Sequence, residues 1–262
     1  MGRIIAYLDC FSGASGDMLL GALLDAGLER AALEAGLAKI GIAPSSLTIG
    51  RQTQQGITGT CLTVLDDQTE HPVRNLPVVR TLLEASDLPK EIITSSLAIF
   101  IRIAEVEGAI HGLNPEEVHF HELSAVDSLV DIVGFNIALA ELGIEAVFAS
   151  PLPLGHGSVQ TAHGLLPLPA PATLALLAMV QAPTIPSPAS VELVTPTGAA
   201  ILVSLAEFRQ PAMAIQRVGY GLGHKALPWA NIVRVWIGNE LDLPAAAHGA
   251  VTQHHYHADH TH

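Results

Sequence analysis

The segment from Ser124 to Gly143 constrains the fold of this chain most, because its pattern predicts a helix that is apolar on two nearly opposite sides. One apolar stripe consists of Val126, Leu129, Val130, Val133 and Ile137, and the other consists of Ile132, Phe135, Leu139 and Leu142. A helix with two apolar sides must pack against other parts of the protein on both of them. We therefore expect this helix to be mostly buried.

Two aspartates, Asp127 and Asp131, lie one helical turn apart on the flank between these stripes. Carboxylates this close in apolar surroundings repel each other and lose hydration, so they need a cation, a basic partner or protonation. No lysine or arginine occurs between Arg102 and Arg209, which makes a bound metal ion the simplest compensation. The alternative is a half-exposed helix whose aspartates are solvated.

The segment just before this helix adds further candidate metal ligands. His119 and His121 are two residues apart, so an extended backbone would place both imidazoles on one side, and Glu122 follows directly. Imidazole together with carboxylate suits nickel, zinc, manganese or iron, and the pattern does not choose among them. The alternative is a surface strand that carries two histidines and no site.

Predicted strands alternate with predicted helices through most of the chain, which indicates an α/β or α+β fold with a layered mixed sheet flanked by helices. We assign residues 1–240 to this folded region. Residues 241–262 have little to bury and are predicted to form a disordered tail. Its histidines are candidate ligands for divalent ions, with a passive solubilising tail as the alternative. These histidines are His254, His255, His257, His260 and His262.

The first predicted strand, IIAYLDCF, runs into a loop of small residues. Asp9 lies near the carboxyl end of this strand, where open α/β sheets place ligands, and it is a candidate metal ligand. Asp17, at the start of the next helix, is another, with a plain N-cap as the alternative. The loop between them would present backbone N–H groups to an anion or phosphate. The loop residues in question are Ser12, Gly13, Ser15 and Gly16.

Three later glycine loops are also candidates for contact with a phosphate-bearing ligand, although each is equally compatible with a plain turn. The first contains Gly155 and Gly157, the second contains Thr197 and Gly198, and the third runs from Gly219 to His224. His163 and His224, each beside a glycine, are further candidate ligands.

The composition narrows the classes of partner. With 12 basic and 25 acidic residues the formal charge is −13, which attracts cations and argues against nucleic acid. Only two cysteines occur, far apart in sequence, which favours a reducing compartment. Prolines interrupt the most apolar stretches, so no membrane-spanning helix is predicted. We expect a cytoplasmic protein, and the low charged content of 14% suggests a surface covered in a homo-oligomer.

Several long motifs occur in an order that resembles one family, the nickel-insertion proteins of nickel-pincer cofactor biosynthesis. The resemblance runs from Ile5 to about Gly238, which is essentially the whole predicted folded part. The motifs are DCFSGASGDMLLGALLDAG, VHFHELSAVDSLVDIVG, SPLPLGHGSVQTAHGLLPLPAPATLALL, ELVTPTGAA, and RVGYGLG followed by NIVRVWIG.

This resemblance implies a nickel chelatase or insertase of the lyase class. Its substrate would be pyridinium-3,5-bisthiocarboxylic acid mononucleotide, and its product would be the cofactor of lactate racemase and related enzymes. The reaction is expected to consume CTP, with manganese or magnesium as a second divalent ion. Full-length members continue into a C-terminal domain to which nucleotide binding is attributed, so we expect this chain to need that C-terminal half as a partner for catalysis.

Two other functions remain open at this point. A nickel chaperone or storage protein would use the same ligands without catalysing insertion. A metal-dependent hydrolase is the third possibility, because clusters of histidine and aspartate also activate water.

Overall fold

The computed structural model describes residues 2–65, 75–118, 125–161 and 164–242. The helices within these ranges are α1 (Gly16–Asp25), α2 (Arg30–Ala38), α3 (Leu76–Glu84), α4 (Lys90–His111), α5 (Ala125–Glu141), α6 (Pro171–Met179) and α7 (Pro196–Leu205). The strands are β1 (Ile4–Asp9), β2 (Leu47–Gln54), β3 (Ile57–Val64), β4 (Ala146–Ala149), β5 (Leu152–Leu154), β6 (Ser158–Thr161), β7 (Gly164–Pro167), β8 (Thr184–Pro186), β9 (Ala206–Glu207), β10 (Met213–Leu222) and β11 (Ile232–Glu240).

A seven-stranded sheet in the order β2-β3-β10-β11-β1-β4-β9 organises the fold. It is mixed, because β1 runs parallel to β4 on one side and antiparallel to β11 on the other. Two small two-stranded sheets, β5-β8 and β6-β7, lie outside it. The predicted layered mixed sheet flanked by helices is therefore confirmed.

Helix α5 is buried on both of its apolar sides, as its two stripes predict. Leu129, Val130 and Val133 of one stripe and Ile132 and Phe135 of the other are all fully inaccessible to solvent. The helix contacts α1, α2, α4 and α7, so other helices surround it. Because it carries the two aspartates, this central position fixes where their carboxylates lie.

Helix α1 lies between α5 and the sheet, and glycines allow the close approach on both of its sides. A Cβ atom on Gly134 of α5 would lie 2.7 Å from Leu20 Cδ2. On the sheet side, a Cβ atom on Gly221 of β10 would lie only 1.8 Å from Met18 O. The glycines of α5 and β10 therefore act as packing residues that bring the start of α1 against both layers.

The ends of two helices differ slightly from the expected positions. The helix predicted to start at Asp17 starts one residue earlier, at Gly16, and α7 ends at Leu205, after which β9 joins the sheet edge. Strand β8 was not predicted, because three residues are too few to show the alternation of apolar and polar side chains that identifies a strand. Over the described ranges, no helix combines the length and apolarity that a bilayer crossing requires.

Candidate functional site

An acidic cavity of about 380 Å³ opens where the start of α1, the end of β3, the first turns of α5 and the start of α7 meet. Asp17, Asp127 and Asp131 all line it, so the structure brings together three of the acidic residues predicted as metal ligands. The other lining residues are Ser15, Gly16, Leu62, Thr63, Val64, Ser128, Glu192, Thr195, Pro196, Thr197 and His224.

Gly16 determines how closely α1 approaches the carboxylate of Asp131. A Cβ atom on Gly16 would lie 2.2 Å from Asp131 Oδ2 and 2.4 Å from its Cγ, far inside van der Waals contact. Any larger residue would have to displace the carboxylate or the helix. Gly16 was predicted to offer an N–H group to an anion, and the structure shows that it also leaves room for an acidic side chain.

Asp131 is the most constrained of the three carboxylates. It is only 7% exposed, and its Oδ1 atom has no hydrogen-bond partner among the described residues. Burial, followed by the charges of Asp17 and Asp127, raises the pKa of Asp131 well above its ordinary value. Within the described part of the chain, no lysine or arginine lines the cavity. Among the described residues, a proton or a bound cation is therefore the compensation that fits the charge of Asp131.

Asp17 is held at the cavity mouth by two neighbours. Ser15, and not Asp17, is the N-cap residue of α1, so the plain N-cap alternative for Asp17 is wrong. The Ser15 hydroxyl donates a hydrogen bond to Asp17 Oδ1, and His224 Nε2 lies 3.3 Å from Asp17 Oδ2. These contacts orient the carboxylate and leave it 23% exposed.

His224 connects the cavity to a buried thiol. Its Nε2 atom lies 3.1 Å from Leu62 O and 3.3 Å from Asp17 Oδ2, and the tautomer with a proton on Nε2 fits these two acceptors. The Nδ1 atom lies 3.8 Å from Cys61 Sγ. Burial, and then the charge of Asp17, raises the pKa of Cys61, so its thiol keeps its proton and can donate to Nδ1. Cys61, His224 and Asp17 thus form a chain that orients the carboxylate.

The start of α7 forms the opposite wall. Thr195 is the N-cap residue, and its hydroxyl accepts a hydrogen bond from Gly198 N at 3.2 Å. Thr197 lines the cavity, whereas Gly198 lies behind it, where a Cβ atom would be 2.4 Å from Ala14 O. Of these two predicted contacts, only Thr197 therefore reaches the cavity directly.

Other predicted residues lie elsewhere in the structure. Asp9 forms an ion pair with Arg234, its cross-strand neighbour on β11, and lines a different cavity. Ser12 accepts a hydrogen bond from Trp229 Nε1 at 2.9 Å and is buried. Besides Gly198, five predicted residues do not line the acidic cavity: Asp9, Ser12, Gly13, Gly155 and Gly157.

Several predicted ligands fall outside the described residues and stay predictions. They are His119, His121, Glu122, His163, His254, His255, His257, His260 and His262. Within the described ranges, no group of three or more histidine, cysteine, aspartate or glutamate residues is arranged to hold a metal ion. Two residues of the site were not predicted, because they lie in segments with no ligand-like spacing: Glu192, which lines the cavity, and Cys61, which contacts the lining residue His224.

The comparison with known proteins identifies similar sequences over almost the whole chain. Residues 6–261 match the protein family described as nickel insertion protein. A relative from Thermomicrobium roseum is 48% identical over 242 residues, which cover 92% of this chain and 59% of the relative. A Desulfitobacterium hafniense relative named pyridinium-3,5-bisthiocarboxylic acid mononucleotide nickel insertion protein is 47% identical over 239 residues, or 90% of this chain and 59% of that protein.

The chain therefore spans about three fifths of the length of these curated relatives, with a 59% share in each case. No solved structure gave a significant match to the chain.

Proposed function

Because this chain belongs to the nickel insertion protein family, we propose that it delivers nickel into a pyridinium-3,5-bisthiocarboxylic acid mononucleotide. The substrate is the one that the name of the Desulfitobacterium relatives gives for those proteins. The family expected from the sequence motifs is thereby confirmed, and the reaction on this particular substrate is our proposal.

The acidic cavity is the observation that carries this proposal. Asp131 is buried beside Asp127 and Asp17, and its Oδ1 atom has no hydrogen-bond partner among the described residues. A divalent cation would relieve the repulsion and supply the missing partner at once. Oxygen ligands exchange more readily on a borderline ion than a closed set of thiolates, which suits delivery to a sulfur-bearing acceptor.

We further propose that His119, His121 and Glu122 complete the nickel site. They precede α5 directly in the sequence, and Asp127 lies in the first turn of that helix. The described carboxylates alone do not form a full ligand set, so imidazole donors from this segment would supply the remaining positions.

We also propose that the reaction uses CTP with manganese or magnesium, and that its product serves the maturation of lactate racemase. We assign the nucleotide to the C-terminal half of the insertase, since the acidic lining of the cavity would repel a triphosphate. We expect the complete protein to act in the cytoplasm as a homo-oligomer.

Equilibrium dialysis with nickel tests the site. The assay uses the full chain with His254, His255, His257, His260 and His262 replaced by serine, so that tail binding does not hide the cavity. Asp131→Asn and Asp127→Asn should each weaken nickel binding at least tenfold, because each removes a charged ligand (about 1.4 kcal/mol or more). Asp25→Asn is the control, since that carboxylate binds Arg51 and Thr60 away from the cavity. Unchanged affinity in both cavity variants would refute the site.

A nickel carrier without catalysis is the second candidate, favoured by the histidines predicted to bind metal in the tail. The nickel-loaded chain is mixed with the pyridinium substrate and CTP, with and without the C-terminal half of a relative. Product formed only when both halves are present supports insertion by the assembled protein. Nickel binding without product in either mixture would favour the carrier.

A further inference from the structure

A second cavity, of about 430 Å³, lies at the carboxyl ends of the parallel strands β1 and β4. Phe11, Trp229, Ile185 and four prolines provide most of its lining, and we call it the aromatic groove. Ligand sites in open α/β sheets occur at the carboxyl ends of strands. The volume falls within the usual range for small-molecule sites, about 300–1,000 Å³.

The aromatic groove exposes apolar surface that the fold itself does not need. Phe11 is 56% exposed and Ile185 is 49% exposed, although both lie beside well-packed strands. Leaving such surface in water costs roughly 25 cal/mol per Å², and grouped exposure of this kind marks binding sites. The groove therefore has the character of a ligand surface that is open in the free protein.

The walls of the groove are preformed. Trp229 is fixed by the hydrogen bond from its indole N–H to Ser12, so the polar edge of the ring is satisfied while the ring lines the groove. The prolines have fixed φ angles and few rotatable bonds, which limits collapse of the empty groove. A flat, rigid ligand gains most from a flat, rigid site, because little ordering entropy is lost on binding.

The charges at the groove suit a ring that is cationic and bears anionic groups. Aromatic faces attract a cationic ring, and both Phe11 and Trp229 are available. Arg234, whose side chain is 41% exposed, donates two hydrogen bonds from its guanidinium group to the lining residue Asp9. A guanidinium group has five N–H donors, and the other three suit a phosphate or carboxylate-like group.

We propose, on the basis of the function proposed above, that the aromatic groove binds the pyridinium ring of the mononucleotide substrate through Phe11 and Trp229. The loop from Phe11 to Ser15 begins at this groove and ends at the acidic cavity. Four residues of chain span at most about 14 Å. Nickel and its acceptor would therefore be held at the two ends of one short loop.

This loop is held in place between the two sites. Gly13 has a φ of +102°, a conformation that favours glycine, and a Cβ atom there would lie 2.1 Å from Leu193 O. The adjacent Ala14 N donates a hydrogen bond to Leu193 O at 2.9 Å, and Thr195 N donates to Ala14 O at 3.0 Å. The separation of the two cavities is thus set by backbone contacts.

Binding of nicotinic acid mononucleotide, a pyridinium-3-carboxylic acid mononucleotide, tests the proposal. Calorimetric titration of the full chain is compared with Phe11→Ala, Trp229→Phe and the control Leu165→Ala, whose residue is 68% exposed and lies outside both cavities. Phe11→Ala should weaken binding about tenfold. Trp229→Phe should weaken it less, because an aromatic face remains although the hydrogen bond to Ser12 is lost, and Leu165→Ala should match the unmodified chain.

Three results would overturn the proposal. The first is an affinity for the probe that is the same in Phe11→Ala as in the unmodified chain, or no measurable binding by either. The second is equal affinity for ribose 5-phosphate, which lacks the ring. The third is a changed sedimentation coefficient in Phe11→Ala with unchanged probe binding, which would assign the groove to a second copy of the chain. Nickel dialysis on Phe11→Ala separates the two proposals, since nickel affinity should stay unchanged.

Discussion

The acidic cavity and the aromatic groove lie at opposite ends of the loop from Phe11 to Ser15, and their chemistry is opposite. The acidic cavity collects carboxylates that repel one another, and one of them is buried with an unsatisfied oxygen. The groove is built from aromatic rings and prolines, and Asp9, the acidic residue in its described lining, forms an ion pair with Arg234. In the acidic cavity the carboxylates repel one another unless a cation or a proton compensates them. The walls of the aromatic groove are preformed for a flat ligand.

This difference shows how one loop can serve two ligands of unlike charge. An anionic acceptor held directly in the acidic cavity would be repelled by its acidic lining before any metal was bound. Placing the acceptor in a neutral groove a short distance away avoids that repulsion. A substitution in the acidic cavity should therefore weaken nickel binding alone, and a substitution in the aromatic groove should weaken binding of the pyridinium mononucleotide alone.

Gly16→Ala should have the largest effect, and only at the acidic end. The new Cβ atom would lie 2.2 Å from Asp131 Oδ2, so unfolding free energy should fall by about 1–3 kcal/mol, and nickel affinity should fall with it. Urea denaturation and nickel dialysis measure the two effects. Gly50→Ala is the matched control, because nothing lies within 4 Å of the added atom. Equal losses in the two variants would contradict the close packing inferred at Asp131.

The pH dependence of stability should come next in size. Because its pKa is raised in the folded chain, Asp131 keeps a proton that the unfolded chain releases above the ordinary value of 3.8. Stability of the metal-free protein should therefore fall as pH rises from that value towards the raised pKa, by about 1.4 kcal/mol per pH unit for this group.

Asp131→Asn should remove that part of the slope, since the amide does not titrate. Urea titrations of both proteins across this pH range, with a chelator present, measure the difference. Parallel curves for the variant and the unmodified chain would show that Asp131 is ionised normally in the folded protein.

His224 should contribute a smaller effect, again at the acidic end. His224→Ala removes the donor that orients Asp17 and should weaken nickel binding about tenfold. Loss of a residue that orients a metal ligand typically lowers metal affinity by about 10- to 100-fold. His224→Gln keeps an N–H group near the position of Nε2 and should recover most of the affinity. A loss of the same size in both variants would indicate that the imidazole itself binds nickel or is needed for packing.

Phe11→Ala should have the smallest effect on stability. The ring is 56% exposed, so its removal should change the unfolding free energy by no more than about 0.5 kcal/mol. Thermal denaturation of the variant measures this directly. A loss of several kcal/mol would show that Phe11 is a core residue, and would remove the main argument for a ligand surface in the groove.

The sequence predicted those features that depend on local periodicity. The stripes of α5 and the spacing of Asp127 and Asp131 follow from the helical repeat, and the structure confirms the burial that they imply. The start of α1 was predicted within one residue from its run of small residues. The motifs identified the family because they are long and occur in a fixed order.

Features that depend on strand pairing could not be predicted in the same way. Asp9 is paired with Arg234 because β1 and β11 are antiparallel neighbours in one register, and no local pattern encodes that register. Cys61 meets His224 because β3 lies beside β10, a pairing distant in sequence. Trp229 and Phe11 form one groove for a similar reason, since the loop before β11 folds over the end of β1.

The position of a bound nickel ion shows whether the acidic cavity is the metal site. Crystals of the full chain with the tail histidines replaced by serine are soaked with nickel, and anomalous diffraction is measured at the nickel absorption edge. We expect a peak within coordinating distance of the Asp127 and Asp131 carboxylates, beside Asp17. A nickel peak elsewhere in the molecule, with none in the acidic cavity, would contradict this expectation.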